Sequence, residues 1–195
     1  MLKSGFKEIY IVDDNFSTNI SRAIKICNLI IEKKIKFPWT LTTGIRVDNV
    51  SKEFFHLLKK AGCYRVAFGI ESGNQQILDN IGKRTTLEQN IKAVKMAKKA
   101  GLETLGFFMI ALPGETEKTI QDTIQFSKKL DLTIAKFSIM IPYPDTEIYN
   151  EWKKEGRILS EEWSKYNLYK PSQIYKHPNL DWGTINRYYK KAYRE

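Results

Sequence analysis

The sequence predicts an α/β fold: a partial, open β/α barrel of the TIM type built from parallel strands, followed by a helical C-terminal extension. Five apolar runs, starting near residues 9, 39, 65, 104 and 135, each lead into an amphipathic helix. The spacing of roughly 30 residues is that of a βα unit. Continuous apolar strands that alternate with such helices are typical of a parallel sheet covered by helices.

The polar residues that end these strands favour a barrel over a doubly wound sheet. They follow four successive strands, and they are Asp13, Asp14, Arg46, Asp48, Glu71, Ser72 and Glu115. In a barrel such strand ends converge on one opening, whereas a doubly wound sheet uses only its topological switch point. Because five strands do not close a barrel, we expect an open barrel or one whose other strands lie outside this chain.

Local signals place the individual elements. The predicted strands are Ile9–Val12, Trp39–Thr43, Arg65–Ile70, Thr104–Leu112 and Ala135–Ile141. Ser51 is the predicted N-cap of the second helix, and Thr86 with Gln89 forms a capping box at the start of the long fourth helix. Gly101 is expected to end that helix.

The predicted domain organisation has two parts. Residues 1–150 form the partial barrel, and residues 151–195 form the helical extension. The extension is rich in aromatic residues. Four of them form either a lid over the barrel or ordinary packing, and they are Trp163, Tyr166, Tyr169 and Trp182.

The composition, with 42% hydrophobic and 28% charged residues, indicates a globular chain. No apolar run approaches the length of a membrane span, and no targeting segment is visible, so the predicted location is the cytoplasm. The formal net charge is +10. Most lysines occur in pairs near helix ends, where they complement the helix dipole, so nucleic-acid binding is not favoured. Residues 187–194, where Arg and Lys alternate with Tyr, are the exception.

The cysteines and histidines indicate no metal site. Cys27 and Cys63 are too far apart in sequence for a metal-ligand pair, and Cys27 is expected in the core. His56 is expected to be exposed on a helix, and His177 lies in the tail. No G-x-G-x-x-G motif follows a strand, so a nicotinamide cofactor has no support.

Four stretches, taken in this order, resemble the radical S-adenosylmethionine (SAM) enzymes. They are Ile11–Phe16, Arg46–Asp48, Phe68–Gly73 and Leu112–Thr116. The cobalamin-associated branch, which includes magnesium-protoporphyrin IX monomethyl ester oxidative cyclases, is the most similar. The resemblance covers roughly residues 5–150 and implies a partial six-stranded β/α barrel.

The chain departs from the family pattern at one important place. In the family, the first strand is followed by C-x-x-x-C-x-x-C, whose thiolates hold a 4Fe–4S cluster, and this motif is absent here. Since the first strand of this chain matches the family's second, we expect a piece of a longer protein. A cluster-free descendant is the alternative. Two smaller departures are Ala111 and Asp145, where the family often has Gly.

The resemblance implies cofactor contacts at the earlier strand ends. Asp13 or Asp14 stands where a carboxylate receives the ammonium group of SAM, and the alternative is an Asp that caps the next helix. Glu71 and Ser72 stand near the ribose and the methionine carboxylate, with Arg46 in support. Since a buried Glu needs a partner, Arg46 or the arginine at position 65 is expected to pair with Glu71.

The later strand ends match the part of the family that contacts adenine. In the family, backbone groups and apolar side chains of the fifth strand contact adenine. Phe108, Ile110 and Pro113 of this chain match that strand. Ile141 comes from the last strand, which flanks adenine, although core packing is the stronger interpretation. Glu115 lies beside the N-terminus of the next helix, where an anion is favoured. A cofactor role and this helix interaction are equal alternatives for Glu115.

We therefore expect a fragment of the catalytic barrel of a radical SAM enzyme, with SAM and a 4Fe–4S cluster in the full-length protein and cobalamin as a candidate on a separate domain. Reductive cleavage of SAM to a 5′-deoxyadenosyl radical would serve oxidative cyclase or methyltransferase chemistry on a small molecule such as a tetrapyrrole. The expected reductant is a flavodoxin or ferredoxin, and the isolated chain is expected to be inactive. The alternatives are a methylthiotransferase-like enzyme acting on RNA or ribosomal protein, and a cluster-free binding module.

Overall fold

A computed structural model of the protein describes residues 5–168 and 172–194. Its strands are β1 (Ile9–Ile11), β2 (Trp39–Ile45), β3 (Cys63–Glu71), β4 (Glu103–Ile110) and β5 (Ile134–Ile139). Its helices are α1 (Ile20–Glu32), α2 (Lys52–Lys60), α3 (Gln75–Asn80), α4 (Leu87–Lys99), α5 (Glu117–Lys129), α6 (Glu147–Lys154) and α7 (Trp182–Ala192), with a 3-10 helix at Trp163–Lys165.

The five strands form one parallel sheet whose spatial order, β1-β2-β3-β4-β5, is the order of the chain. A doubly wound sheet reverses its direction of winding at a switch point, and this order contains no such reversal. Successive strands added on the same side are the winding of a β/α barrel. The predicted fold class, an open barrel of parallel strands, is confirmed.

The pairing of β2 with β3 contains two register shifts, one between Trp39 and Thr40 and a larger one between Leu41 and Ile45. At the larger shift Leu41 pairs with Val66 and Ile45 pairs with Phe68, so β2 has two more residues than β3 over this stretch. Gly44 lies inside the irregular stretch with φ +108°, a backbone conformation that a side chain would strain. The irregularity directly precedes the polar end of β2.

The predicted helix caps are present. Ser51 accepts a hydrogen bond from the backbone N–H of Phe54 at the start of α2. Thr86 and Gln89 form the reciprocal capping box of α4, with distances of 2.8 and 3.1 Å. Gly101 follows α4 with φ +78°. These local signals fix the helix boundaries because each satisfies backbone groups that the helix leaves unpaired.

The chain divides into two compact units, of which the first contains the described part of Met1–Ile70 together with Thr85–Phe107 and Leu130–Ala135. In this unit α1 packs on α2, and α2 packs on α4. Trp39 is fully buried, and its indole N–H donates to the carbonyl of Ala61 at 2.8 Å. Phe55 and Phe68 are also buried and pack edge to face. Burial of each of these rings stabilises the unit by about 2 kcal/mol.

The second unit contains Glu71–Arg84, Phe108–Lys129 and the described part of Lys136–Glu195. Its core is an apolar cluster that includes Leu112, Met140 and Trp152. Tyr175 joins this core, with its ring 5.0 Å from the ring of Trp152. Helix α7 packs on α5. The C-terminal extension therefore shares a core with the ends of β4 and β5.

The extension is helical at its two ends and largely irregular between α6 and α7. Gly156 ends α6 with φ +68°, and a proline stands at position 178, so neither place continues a helix. Of the tail aromatics, Trp163 is exposed, Tyr166 is buried and Trp182 is half-buried. Tyr169 lies outside the described residues. None of the described helices has the length and hydrophobicity needed to span a membrane.

One tail residue completes the edge of the sheet. The hydroxyl of Tyr193 accepts a hydrogen bond from the backbone N–H of Phe137 at 3.0 Å and donates one to the carbonyl of the same residue at 2.7 Å. Phe137 lies in β5, the last strand in the sheet order. A single phenol therefore satisfies both backbone groups of one edge residue.

Candidate functional site

In the first unit, the carboxyl end of β1 presents Asp13 and Asp14. Asp13 is half-buried and Asp14 is exposed. A carboxylate oxygen of Asp13 lies 2.9 Å from the guanidinium of Arg22, and the backbone carbonyl of Asp13 accepts the hydroxyl of Thr43. The ion pair is exposed and so contributes little to stability. The carboxylate and the carbonyl of Asp13 therefore both have partners.

The end of β2 presents Arg46, which forms a bidentate pair with Asp48. The two distances are 3.0 Å and 2.6 Å, and both side chains are exposed enough to meet solvent. Arg65, the other arginine considered for Glu71, pairs instead with Glu103 at 2.6 Å. The expectation that Arg46 or Arg65 is the ion partner of Glu71 is therefore wrong. Arg46 pairs with a carboxylate two residues along the chain, and Arg65, in β3, pairs with the first residue of β4.

In the second unit, the end of β3 places Glu71 beside Lys83. The carboxylate oxygen Oε1 of Glu71 lies 2.9 Å from Nζ of Lys83, and the two side chains are only 19% and 25% exposed. Glu71 has φ +67°, a left-handed conformation that is costly for a residue with a side chain. Lys83 lies in the turn after α3, where its backbone N–H donates to the carbonyl of Leu78. Glu71 therefore combines a strained backbone conformation with a partly buried ion pair.

The residues after Glu71 are fixed to α5. Ser72 is fully buried, and its hydroxyl lies 3.1 Å from that of Thr123 and accepts the backbone N–H of Asn74. The N–H of Gly73 donates to the Thr123 hydroxyl at 2.9 Å. A Cβ on Gly73 would lie 2.4 Å from Cβ of Phe126, so only glycine fits. The Ser72 hydroxyl thus holds the strand end against the helix.

The end of β4 shows which side chains of the predicted adenine stretch are buried. Phe108 and Ile110 are fully buried, and Phe108 stacks on Phe137 with ring centroids 5.0 Å apart. Met109, whose side chain points to the opposite face, is half-buried. Ala111 follows with φ +66°. The side chains of Phe108 and Ile110 therefore contribute packing, and Met109 packs against the apolar cluster of the second unit.

A cavity of about 580 Å³ opens next to this strand end, within the second unit. Its apolar lining includes Leu112, Pro113, Met140 and Ile141. Pro113 and Ile141, two of the predicted site residues, are half-buried there. The cavity is large enough for a small planar ligand group.

Glu115 is a buried carboxyl group in the turn after β4. It has no exposed surface, its Oε2 accepts the backbone N–H of Leu112 at 3.0 Å, and its Oε1 has no hydrogen-bond partner. Burial raises the pKa of Glu115 to about 8, although hydrogen bonds from the backbone N–H groups of Leu112 and Ala111 oppose the rise. The Glu115 side chain therefore bonds back to the backbone of its own turn. Near neutral pH it is largely protonated and neutral.

The residues present do not fit a 4Fe–4S cluster. The chain has two cysteines, and both Cys27 and Cys63 are buried and unpaired. Burial raises the pKa of the Cys27 thiol to about 11 and that of Cys63 to about 12, so neither supplies a thiolate. Residues 5–168 and 172–194 also contain no group of three or more His, Cys, Asp or Glu side chains placed to hold a metal ion.

Side chains of the second unit have chemistry of the kind that part of SAM requires. SAM carries an amino-acid group with one positive and one negative charge, a ribose and an adenine. The pair of Glu71 and Lys83 offers one charge of each sign, and the cavity beside Pro113 and Ile141 offers apolar surface. Lys83 could not be predicted from its sequence position because only the turn after α3 brings it to Glu71.

Comparison with known proteins gives a family and several relatives. The model of the Radical SAM superfamily matches residues 1–127. An uncharacterized methyltransferase of Pyrococcus horikoshii is 39% identical over 189 residues, which cover 97% of this chain and 40% of that protein. An anaerobic magnesium-protoporphyrin IX monomethyl ester cyclase of Cereibacter sphaeroides is 26% identical, over 91% of this chain and 30% of its own length.

A solved structure shows the same fold. The radical SAM methyltransferase TsrM from Kitasatospora setae, with cobalamin and a 4Fe–4S cluster bound, superposes with a TM-score of 0.71 at 21% identity. The match covers 78% of this chain and 31% of that chain. At this identity the likeness supports the fold alone. The chain spans less than half the length of each of these relatives.

Proposed function

Because the chain belongs to the radical SAM superfamily, we propose that it is the SAM-binding part of the catalytic barrel of a radical SAM methyltransferase. The observation that carries this proposal is the family match, which includes the strand ends at Asp13, Arg46, Glu71 and Glu115. Methyl transfer is preferred over oxidative cyclisation because the relative with 39% identity is named a methyltransferase, while the cyclase is 26% identical. SAM supplies the reactive group in this superfamily, and the residues of this chain bind and orient it.

Glu71 and Lys83 are proposed to hold the polar end of SAM. The carboxylate of Glu71 accepts ribose hydroxyl donors, and the ammonium of Lys83 donates to the methionine carboxylate. Both side chains are partly buried, so these charge-assisted hydrogen bonds are stronger than they would be in water. Ser72 acts through the backbone because its hydroxyl is already bound to Thr123.

In the first unit, Asp13 is proposed as the carboxylate that receives the ammonium group of SAM. Asp13 is favoured over Asp14 because it is half-buried and because its carbonyl is fixed by Thr43. Arg46 supports the end of β2 through its bidentate pair with Asp48.

The adenine is proposed to lie against the ends of β4 and β5. Phe108 and Ile110 support this region from the buried face, while Pro113 and Ile141 offer half-buried apolar surface. Glu115 fixes the turn by accepting the N–H of Leu112. This arrangement provides an apolar surface beside the turn, which would suit the apolar faces of a purine.

The substrate class, reductant and location are also proposals. The named activities of the relatives support a small-molecule substrate such as a tetrapyrrole. Membership of the superfamily supports a reductant such as a flavodoxin or ferredoxin, cobalamin as a further cofactor, and a cytoplasmic location. Since the described residues do not fit the cluster, the chain by itself is expected to bind SAM without converting it.

Calorimetric titration with S-adenosylhomocysteine tests the proposal, because this product has the same polar end and adenosine group as SAM. We expect saturable binding by the unaltered chain and at least about tenfold weaker binding by Glu71→Gln. Glu103→Gln is the matched control, because it removes a paired carboxylate from the opposite end of a strand. The absence of saturable binding, or equal losses in the two variants, would contradict the proposal.

A further inference from the structure

Two side chains of the tail reach the turn that follows β4. Nε2 of His177 lies 3.0 Å from the carbonyl oxygen of Leu112, and Nδ2 of Asn179 donates to the carbonyl of Glu115 at 3.1 Å. These contacts join residues that are 65 and 64 positions apart in sequence. We call residues 177–179 the strap and residues 112–115 the turn. Both lie in the second unit.

The hydrogen bonds of His177 define its protonation state. The backbone N–H of Asn179 donates to Nδ1 of His177 at 3.1 Å, so Nδ1 carries no proton. The proton of the neutral ring is then on Nε2, which donates to the carbonyl of Leu112. The ring is 7% exposed, and burial lowers the pKa of His177. Both ring nitrogens are satisfied in one tautomer, and a second proton would break the bond to Asn179.

The turn needs outside support because its backbone is unusual. Gly114 has φ +82°, and Ala111, which enters the turn, has φ +66°. The bonds inside the turn join the N–H of Leu112 to the Glu115 carboxyl and the N–H of Glu115 to the carbonyl of Leu112. A left-handed conformation at a residue with a side chain costs about 1 kcal/mol or more, so it persists where neighbouring groups hold it.

We propose that the strap positions the turn for its ligand, with His177 as a positioning residue that acts through its neutral Nε2–H and the carbonyl of Leu112. The identity of that ligand as SAM rests on the proposed function. The positioning itself does not, because it concerns only how the tail holds the turn. The C-terminal extension is then part of the binding machinery, although the family match ends at residue 127.

Packing alone would predict a different response to substitution. His177 meets Trp152 edge to face, with ring centroids 5.8 Å apart. Substitution of His177 by either Gln or Asn removes this ring contact with Trp152. His177→Gln and His177→Asn therefore form a matched pair. The amide nitrogen of Gln reaches the place of Nε2 and can donate to Leu112, whereas the shorter Asn can replace only Nδ1.

Amide hydrogen exchange measured by NMR on the whole chain decides between the two interpretations. We expect the Leu112 and Glu115 amides of His177→Asn to exchange about tenfold faster than in the unaltered chain, with His177→Gln within about threefold of it. Equal exchange in the two variants would overturn the proposal. An equal acceleration of all slow amides in His177→Asn would also overturn it, because that pattern reports global unfolding.

A second variant keeps the test decisive if His177→Asn fails to fold. Asn179 is exposed, so Asn179→Ala removes the bond to Glu115 with little loss of packing. Asn186→Ala is its control, because Asn186 makes a similar bond to the carbonyl of Trp182 within α7. We expect faster exchange at the turn in Asn179→Ala only, and unchanged exchange there would contradict the strap.

The ligand is tested separately with S-adenosylhomocysteine. If the turn binds it, His177→Asn should weaken binding about tenfold and His177→Gln should largely preserve it. If the unaltered chain does not bind this probe, the proposed function fails, while the exchange measurement still decides whether the strap holds the turn. Binding that is equally weakened in both variants would limit His177 to packing.

Discussion

Glu71 and Lys83 form a partly buried ion pair, with Oε1 of Glu71 2.9 Å from Nζ of Lys83, at a strand end whose backbone is left-handed. Strained residues persist where surrounding contacts over-determine them, and they often lie at ligand sites. Here Lys83, which lies in the turn after α3, holds the Oε1 atom of Glu71 in place.

Lys83→Met is expected to weaken binding of S-adenosylhomocysteine about tenfold, because the methionine carboxylate loses a charged donor. The free energy of unfolding should fall by about 1–3 kcal/mol, because the partly buried carboxylate of Glu71 loses its partner. Lys98→Met, which breaks the exposed pair of Lys98 with Asp131, is the control and should leave affinity unchanged. Calorimetry and urea denaturation measure the two effects. Equal affinities in the two variants would remove Lys83 from the site.

Gly73→Ala is expected to destabilise the protein by about 2–3 kcal/mol. The new Cβ would lie 2.4 Å from Cβ of Phe126 and 2.7 Å from Cα of Thr123, so α5 would have to move away from the strand end. Gly156→Ala is the control. Its site is open, but φ is +68°, so only the backbone strain of about 1 kcal/mol applies. Urea denaturation measures the free energy of unfolding of both variants. Equal decreases would mean that α5 accommodates the new Cβ at little cost.

Ala111→Gly is expected to stabilise the protein by up to about 1 kcal/mol. Ala111 has φ +66°, and glycine adopts this conformation without the steric cost of a Cβ. The gain is limited because glycine also increases the entropy of the unfolded chain. Ala93→Gly, in the interior of α4, should instead destabilise by at least about 1 kcal/mol. Thermal and urea denaturation give both values, and a loss of stability in Ala111→Gly would contradict the strain.

Glu115 should make stability fall as pH rises. Burial raises its pKa from 4.5 to about 8, so the folded state binds more protons than the unfolded state between these values. Its contribution is fully present below the unfolded pKa and is lost as pH rises towards the folded pKa, by roughly 3 kcal/mol between about pH 5 and pH 8.

Glu115→Gln should remove this pH dependence, because the amide imitates the neutral acid at every pH. Urea denaturation at several pH values should show a flatter curve for this variant than for the unaltered chain. Glu117→Gln, which changes an exposed neighbour in the first turn of α5, should follow the unaltered chain. A Glu115→Gln curve parallel to that of the unaltered chain would mean that Glu115 is ionised in the folded protein.

The fold could be predicted well because its signals are local. Apolar runs mark the strands, and the caps at Ser51 and Thr86 satisfy helix ends within a few residues of themselves. The two positions where glycine was expected from the family, Ala111 and Asp145, both have φ +66°. The glycines of the family pattern therefore indicated the left-handed backbone at these two positions, which Ala and Asp do not indicate by themselves.

The site could be predicted only in part because its contacts are made across the chain. The partner of Glu71 is Lys83 and not an arginine, since the choice depends on the turn after α3 rather than on charge. The contacts of His177 and Asn179 with the turn are separated by more than 60 positions, and no periodicity marks them. Alternation along β4 also left the orientation of Phe108 undetermined.

The phenol of Tyr193 has a consequence for the association of chains. It occupies both backbone groups of Phe137 on the outer side of β5, which would otherwise be open to a strand from another molecule. A chain without the phenol of Tyr193 would leave this one donor and this one acceptor unpaired at the sheet edge. Tyr193, the residue that caps the end of α7, therefore blocks one position at which a foreign strand would otherwise pair with β5.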